Sequence, residues 1–416
     1  MKKLLGIVVL GLLWSGNVYA CTDVNGTTVT YTSDCRQIVV TGNGSNITID
    51  GATIKGHSSD NEEGIVTTAG TNTTITINSN AGIGYDTAAG LERLGILNGA
   101  GGSITTITNN GIIKTRKSSN GGYGYPINNL GTIGDVVNSG QIYSNSKASI
   151  YNWSGTISKI ENTATGNIWA KRQYAIGNSG SGTIGTITNA GTIRASKEQT
   201  IRNSGDTITL IENTTSSAMI KGEDETIYNE DGSIITTIKN AGTIRAWGSS
   251  NAIAILTTDA TIDTIENTGT ITANNDGKAI SSVASGVINT INNSGTISGK
   301  KADGAIYTGA LGTIGTITNS GDITGSDSGG AIKNNGAITT ITNSGNIADT
   351  TDNGIKNITG ATITTINNTG TITGGALDIR NANDAGASGT ITTLINSQGG
   401  SDALTYAYKL PTNYKV

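Results

Sequence analysis

A recurring motif, T-I-x-x-I-x-N-x-G-x-I, constrains the fold of this chain more than any other feature. Residues 291–297 (INNSGTI) and 317–323 (ITNSGDI) are clean copies. The asparagines of the motif recur about every 26 residues, at Asn109, Asn138, Asn162, Asn189, Asn213, Asn240, Asn267, Asn293, Asn319, Asn343, Asn368 and Asn396. A repeat of this length indicates a solenoid, in which similar units stack and each contacts mainly its two neighbours.

A second series of asparagines lies further along most repeats, each two residues after an isoleucine. Its members are Asn129, Asn152, Asn178, Asn203, Asn229, Asn334, Asn357 and Asn381. We interpret both series as structural, at the corners of the repeat. Asparagines that align along a stack can form ladders of amide hydrogen bonds, and we predict such a ladder for the first series.

The residue types of the repeat favour strands over helices. Thr and Ile are β-branched and suit strands, whereas Gly and Asn supply turns. Each repeat therefore predicts three short strands joined by bends, around T-I-x-x-I, G-x-I and A-I-x-N. Stacking such repeats would bury the isoleucines in continuous columns. We predict an all-β fold, a single-stranded parallel β-helix (β-solenoid) with about 12 recognisable coils and additional N-terminal coils or a cap.

Composition is consistent with this prediction and excludes other classes. The 416 residues include 60 Gly but only 2 Pro and no Phe, and charged residues are 13%. Collagen needs a Gly-X-Y period with abundant Pro, and disordered chains are usually rich in charge or Pro. The net charge of −4 argues against nucleic acid or an anionic membrane as a partner.

The chain divides into four segments. Residues 1–20 predict a secretory signal peptide, with Lys2 and Lys3 before a short apolar run and Val18-Tyr19-Ala20 at the cleavage site. Residues 21–100 match the repeat poorly and are assigned to a cap and irregular first coils. Residues 101–396 hold the regular repeats, and residues 397–416 form a C-terminal segment.

Both cysteines follow the predicted cleavage site. Because exported compartments are oxidising, we predict a disulfide between Cys21 and Cys35. The alternative is that Cys21 carries a lipid, since Val18-Tyr19-Ala20-Cys21 loosely matches a bacterial lipobox, although Tyr19 is bulky for its position.

No catalytic or metal-binding constellation is evident, and we predict no enzymatic activity and no cofactor. His57 is the single histidine and lies in a polar stretch. Charged groups such as residues 223–225 (EDE) and the pairs 116–117, 171–172 and 300–301 fall in variable stretches and are interpreted as solvated loops. Trp153, Trp169 and Trp247 are interpreted as corner packing rather than as platforms for sugars.

Two alternatives to a purely structural or adhesive solenoid stay open. A polysaccharide-acting β-helix enzyme would need at least three acidic or basic residues aligned on one outer face over neighbouring coils. An ice-binding or surface-binding solenoid would need a flat, regular array of threonines. Candidates for that array are Thr105, Thr106, Thr108, Thr339, Thr340 and Thr342. The position of Thr108, however, aligns with Glu, Lys and Asn in other repeats.

The signal peptide followed by T-I-x-x-I-x-N-x-G-x-I coils resembles the passenger region of bacterial type V autotransporters. The resemblance covers about residues 100–396, and residues 404–406 (LTY) and 410–414 (LPTNY) look like the start of the link to the family's translocator. It implies right-handed winding of the coils. The family's C-terminal outer-membrane barrel is expected to be absent from this chain, because about 20 residues follow Asn396 and there is no Phe.

From the repeat and the resemblance together we expect a protein exported to the cell surface or beyond. It would act as a monomeric, rigid stalk or adhesin whose corner loops bind host or environmental glycans or proteins. The resemblance implies a translocator barrel of the outer membrane as its other partner.

Overall fold

A computed structural model of the chain describes most of the predicted repeats. The described residues are 21, 23–55, 63–68, 72–84, 94–115, 124–248, 252–274, 277–300, 303–326, 328–358, 360–381, 389–397, 406–407 and 413–415. The predicted signal peptide lies outside them. The described residues contain strands and turns, and no helix among them is long and apolar enough to cross a membrane.

The strands form three parallel sheets that run along the described part of the molecule, and each regular coil contributes one strand to each sheet in turn. Sheet 1 contains the strands built on T-I-x-x-I-x-N, most of which are seven residues long. Its sixteen described strands are Thr28–Tyr31, Asn46–Ile49, Thr73–Ile77, Ser103–Asn109, Thr132–Asn138, Thr156–Asn162, Thr183–Asn189, Thr207–Asn213, Ile234–Asn240, Thr261–Asn267, Val287–Asn293, Thr313–Asn319, Ala337–Asn343, Thr362–Asn368, Thr390–Asn396 and Asn413–Lys415.

Sheet 2 is formed by the short strands around G-x-I, which follow directly after the corner asparagine. Its thirteen described strands are Thr53–Ile54, Gly82–Ile83, Ile112–Thr115, Gln141–Ser144, Asn167–Ala170, Thr192–Ala195, Met219–Gly222, Thr243–Ala246, Thr270–Ala273, Thr296–Ser298, Asp322–Gly325, Asn346–Asp349 and Thr371–Gly374.

Sheet 3 contains the strands around A-I-x-N and closes each coil before the next begins. Its fifteen described strands are Ile38–Val40, Ile65–Thr67, Leu94–Asn98, Tyr125–Asn129, Ile150–Trp153, Ile176–Ser179, Ile201–Ser204, Glu225–Glu230, Ile253–Thr258, Lys278–Val283, Ile306–Thr308, Ile332–Asn334, Asn353–Asn357, Leu377–Arg380 and Tyr406–Ala407.

The predicted fold class is therefore confirmed. The molecule is an all-β parallel β-solenoid of about 12 regular coils of about 26 residues, wound in the right-handed sense. Right-handed winding agrees with the strong general preference of parallel strand–crossover–strand units. The rest of each coil serves as the crossover that parallel strands require.

The interior is a column of isoleucines rather than a globular core. In one coil, Ile314 and Ile317 from sheet 1, Ile323 from sheet 2 and Ile332 from sheet 3 are all 0% exposed. Each pairs in register with an isoleucine of the next coil. Burying an Ile side chain contributes about 1.5–3 kcal/mol, so the repeated coils together supply the core that one coil lacks.

The three sheets also extend into the segment before residue 100. Thr28–Tyr31 pairs with Asn46–Ile49, and that strand pairs with residues 74–77 of Thr73–Ile77. The register shifts between Thr73 and Thr74, where this segment meets the first regular strand of sheet 1. The sheet 1 strands of this segment are four or five residues long instead of seven, so the full motif does not appear in the N-terminal sequence.

The predicted disulfide is confirmed, with the Cα atoms of Cys21 and Cys35 5.3 Å apart. Cys35 also forms an isolated bridge to Ile54 of sheet 2, so the bond ties the start of the described chain to the first coils. Because the sulfur of Cys21 is bonded to Cys35, it is not available for the thioether of a lipid anchor.

Candidate functional site

The corner asparagines of the first series lie inside the solenoid, where sheet 1 turns into sheet 2. From Asn109 to Asn396, each side-chain amide donates to the carboxamide oxygen of the next, at 2.7–2.9 Å, in eleven successive bonds. The ladder begins at Asn109 because the preceding coil places Ile77 at that position, which leaves Asn109 Oδ1 without a donor.

Each amide of this ladder also closes its own corner. Asn319 Nδ2 donates to Asn343 Oδ1 at 2.8 Å, to the carbonyl of Gly321 at 3.0 Å and to the carbonyl of Asn346 at 3.1 Å. The glycine is required by close approach, since a Cβ on Gly321 would lie 2.2 Å from the carbonyl oxygen of Gly295. These buried amides are occupied by the fold and offer nothing to a ligand.

A second ladder runs along the end of the sheet 3 strands. It links Asn98, Asn129, Asn152, Asn178, Asn203 and Asn229 at 2.7–2.9 Å, and it resumes through Asn334, Asn357 and Asn381. Between Asn229 and Asn334 the equivalent positions hold Thr257, Ser282 and Thr308. Asn98 extends the second series by one coil, although it lies in the segment assigned to the cap.

The outward threonines of sheet 1 form a more regular array than the sequence suggested. The column that contains Thr108 is mixed, as expected, with Glu, Lys and Asn at equivalent places. The column that starts at Thr106 is also mixed at first. It then holds threonine in seven successive coils, at Thr237, Thr264, Thr290, Thr316, Thr340, Thr365 and Thr393.

A row of basic side chains lies on the outer face of sheet 2. Arg194, Lys221 and Arg245 occupy the same outward position in three consecutive coils and pair in register. Neighbouring strands lie about 4.8 Å apart, so the three cations form a short row along the solenoid axis. They line a groove of about 370 Å³, here called the basic groove, together with Ala195, Ser196, Met219 and Trp247.

The charges of the basic groove have no ionic partner in the described part of the chain, where none of the three cations forms a salt bridge. Burial, and then the charges of Arg194 and Arg245, lower the pKa of the Lys221 ammonium. Burial likewise lowers the pKa of the Arg194 guanidinium. The groove therefore holds positive charge that the fold itself does not neutralise.

The other described residues that line the groove are uncharged. Asn274 lies beside Arg245, and with its amide oriented to satisfy hydrogen bonding its oxygen accepts from Arg245 Nε at 3.2 Å. Glu223 follows Lys221 by two residues, after the strand has ended, and it is not among the residues that line the groove.

The same outward column continues as an aromatic stack toward the N-terminus. The Tyr143 and Trp169 ring centroids lie 4.4 Å apart, and the Arg194 guanidinium lies 4.2 Å from the Trp169 centroid. Lys114 lies over Tyr143 on the other side, at 5.9 Å. The faces of both rings are thus covered by column neighbours, and the Trp169 Nε1 donates to Ser196 at 2.9 Å. Toward the C-terminus the column continues with hydroxyls at Thr272, Ser298 and Thr324, before Ala348 interrupts them.

The outer face of sheet 3 differs because its cations are paired. Arg202 forms a salt bridge to Glu230 and lies over the Tyr174 ring, with 5.1 Å from the guanidinium to the centroid. Lys278 and Lys333 both contact Asp303, at 2.9 and 2.8 Å. This face therefore carries charge that is already compensated.

Aromatic rings also line sheet 3. Tyr125 and Tyr151 stack with centroids 4.7 Å apart, and Trp153 beside them is 48% exposed. Burial, followed by the carboxylate of Glu230, raises the pKa of Tyr228 to about 12.

The other charged residues and tryptophans singled out in the sequence lie in different places and do not form one site. His57, Arg116, Lys117 and Lys301 lie outside the described residues, whereas Lys171, Arg172 and Lys300 are exposed at corners. The acidic group is not a solvated loop throughout. Glu225 begins a strand of sheet 3, and Gln199 donates to its carboxylate at 2.7 Å. Trp169 packs within the column, while Trp247 is 38% exposed in the basic groove.

The basic groove was missed by sequence reasoning because its cations lie 24 and 27 residues apart, in different repeats. A signal for it exists in the residue after the sheet 2 isoleucine, as in 192–195 (TIRA), 219–221 (MIK) and 243–246 (TIRA). The overall negative charge also pointed away from an anion-binding face, because net charge does not report where the charges lie.

The fold and this site define a parallel β-solenoid with an uncompensated row of cations on one face. Comparisons of the chain with protein-family models, with curated proteins and with solved structures found no match.

Proposed function

We propose that the protein is an exported β-solenoid displayed at the cell surface, where it acts as a rigid stalk and adhesin and catalyses no reaction. The observation that carries this proposal is the unbroken asparagine ladder from Asn109 to Asn396. Sixteen strands in one sheet, at about 4.8 Å per strand, extend about 70 Å. A rod of this kind can hold a binding face away from a membrane.

Two features support export. The Cys21–Cys35 disulfide is typical of proteins that fold in oxidising compartments, and the N-terminal sequence has the pattern of a secretory signal. The resemblance to autotransporter passengers suggests that the chain crosses the outer membrane through a translocator barrel. Its adhesive partners would be host or environmental glycans or proteins, bound by the monomer.

Locating the chain in its producing cells tests this proposal. Intact cells are treated with protease and with a membrane-impermeant thiol reagent, before and after reduction. We expect the solenoid to be accessible to protease and its cysteines to react only after reduction. A cytoplasmic chain with free thiols would contradict the proposal. Small-angle scattering of the purified protein should give the profile of an elongated monomer.

A second candidate function, binding to ice or another ordered surface, is favoured by the uniform threonine column from Thr237 to Thr393. Threonines at the strand spacing present methyl and hydroxyl groups in a regular row. Thermal hysteresis of the protein solution is the measurement. Activity that falls on Thr316→Tyr but not on Thr186→Tyr, in the mixed part of the same column, would support this candidate. No measurable hysteresis would reject it.

One observation also favours the alternative of a polysaccharide-acting enzyme, because three basic residues, Arg194, Lys221 and Arg245, align over neighbouring coils. Glycoside hydrolysis typically needs a pair of carboxylates, and none of the described residues that line the groove carries a carboxylate. We therefore favour binding over catalysis. Incubation with acidic polysaccharides, followed by an assay for new reducing ends or unsaturated products, distinguishes the two.

A further inference from the structure

We propose that the basic groove is a binding site for an extended, negatively charged polysaccharide, one that carries sulfate or carboxylate groups and lies along the solenoid axis. The proposal gives a ligand class to the adhesive function proposed above and rests on it for its biological role. The physical claim stands on the groove itself and can be tested separately.

The basic groove presents a row of charge along the solenoid axis. Arg194, Lys221 and Arg245 face outward from three consecutive strands of sheet 2, and a strand spacing of about 4.8 Å separates neighbours. Three cations at this spacing match a chain with repeated anionic groups better than one isolated anion. Guanidinium groups can bind sulfate or carboxylate through two parallel hydrogen bonds, which favours such groups over a diffuse negative surface.

The cations of the basic groove differ from those on sheet 3 in their partners. On the outer face of sheet 3 the cations Arg202, Lys278 and Lys333 contact carboxylates. In the described structure the three cations of the basic groove do not. Like charges held side by side destabilise the fold, so an anion in the groove would relieve a repulsion as well as gain attraction.

The other side chains of the groove and its column suit a sugar polymer. Trp247 is exposed at the groove and offers a ring to a sugar, while Ser196 lies in the lining. Beyond Arg245 the column continues with hydroxyls, including Ser298, which donates to Thr272 at 2.8 Å. Hydroxyls in register with the cations suit a hydroxyl-rich polymer that extends past the charged part of the groove.

The same column disfavours single-stranded nucleic acid. Proteins that bind such strands without sequence preference stack successive bases on open aromatic faces. Here Tyr143 and Trp169 pack against each other with their rings tilted by 34°, and Lys114 and Arg194 cover their outer faces. In the basic groove, Trp247 is the single aromatic residue among the described lining. The charges are available to a polyanion, but a series of stacking platforms is not.

The test measures binding of the purified protein to dextran sulfate, polygalacturonate and neutral dextran of similar length. We expect binding to at least one of the two anionic polymers and none to neutral dextran. The two anionic polymers then distinguish sulfate from carboxylate as the recognised group. Inorganic sulfate, oligo(dT) and polyglutamate serve as competitors of other classes.

The triple variant R194Q/K221Q/R245Q should weaken binding about tenfold or more, because it removes all three charge-assisted contacts. The matched control K159Q/K239Q/K300Q makes the same change in net charge at exposed lysines outside the groove, and it should bind within about twofold of the original. Circular dichroism checks that both variants keep the fold. Trp247→Leu should remove a ligand-induced change in fluorescence that the control Trp153→Leu retains.

Several outcomes would overturn the inference: no binding to either anionic polymer, equal losses in both triple variants, or equal affinity for oligo(dT) or polyglutamate. Displacement of the polymer by inorganic sulfate at the same concentration of charge would also overturn it, since the site would then recognise a single anion. None of these outcomes bears on where the chain is located, so the proposed function and this inference can fail independently.

Discussion

Asn293 and Asn319 lie 26 residues apart, yet the amide of Asn293 donates directly to the carboxamide oxygen of Asn319 at 2.7 Å. The same amide contacts the carbonyls of Gly295 and Asp322, each at 3.1 Å. One side chain thus joins two coils and closes a corner. Because the relationship is repeated in register along the rod, the ladder sets the geometry on which every outer face depends.

Replacing one ladder residue should destabilise the solenoid. Asn293→Ala removes an amide whose two hydrogens are shared among three acceptors, and it leaves the buried oxygen of Asn319 without its donor. We expect a loss of about 2–4 kcal/mol in the free energy of unfolding, measured by chemical denaturation.

The adjacent Asn292→Ala is the matched control, because Asn292 is exposed on the outer face of sheet 1. We expect it to change stability by less than about 0.5 kcal/mol. Similar losses in the two variants would show that the ladder bonds contribute little.

The corner glycines should not tolerate a side chain. In Gly321→Ala the new Cβ would meet the carbonyl oxygen of Gly295 at 2.2 Å, and backbone cannot move away without disturbing the neighbouring coil. We expect destabilisation of about 1–3 kcal/mol in thermal or chemical unfolding.

Gly177→Ala provides the comparison for this substitution. The Cβ at residue 177 would meet ring atoms of Tyr151 and Tyr174, each at 3.0 Å, and these side chains can shift. Its cost should be below about 1 kcal/mol. If Gly321→Ala were as well tolerated, the close approach of the corners would not explain the glycine in the motif.

The charged ammonium of Lys221 should lower the free energy of unfolding at neutral pH. Burial and the facing charges of Arg194 and Arg245 depress its pKa in the folded chain below the ordinary 10.5. The unfolded chain therefore binds more protons between the folded and unfolded pKa values, and stability rises with pH across that window. At pH values below the pKa of Lys221 in the folded chain, the charged ammonium destabilises the fold by the full amount.

Lys221→Met should accordingly stabilise the fold at pH 7, by a few tenths to about 1 kcal/mol at this half-buried site. The gain should shrink as the pH approaches 10.5, in melting temperatures measured across pH. Lys239→Met is the control, since Lys239 pairs with Glu266 at 3.4 Å and its loss should not stabilise. A destabilised Lys221→Met variant would contradict the uncompensated row of charge.

The disulfide should stabilise the N-terminal coils specifically. Cys21 and Cys35 close a short loop beside the first strands, and a closure of this length contributes about 3 kcal/mol. Cys21→Ser/Cys35→Ser should therefore increase hydrogen exchange in residues 24–54 and leave the coils after Ser103 unchanged. If residues 24–54 exchanged at the same rate in the variant and in the original protein, the disulfide would not be needed to stabilise these coils.

Much of the fold follows from local patterns in the sequence. The alternation of Thr and Ile, the glycine two residues after most corner asparagines and the period of about 26 residues together predict three parallel sheets around isoleucine columns. Asn98 was missed because the surrounding segment departs from the motif, although it follows Ile96 by two residues as the rest of the second series does. The Cys21–Cys35 bond followed from the compartment that the N-terminal sequence indicates.

The candidate site depended on the tertiary structure. The sequence by itself determined which side chains each coil would place outward, since strand periodicity sets that locally. It did not determine that Arg194, Lys221 and Arg245 would be adjacent, because they are 27 and 24 residues apart and the turns between them vary in length. Only the hydrogen bonds between coils set the strand register, and that register brought three cations from separate repeats into one row.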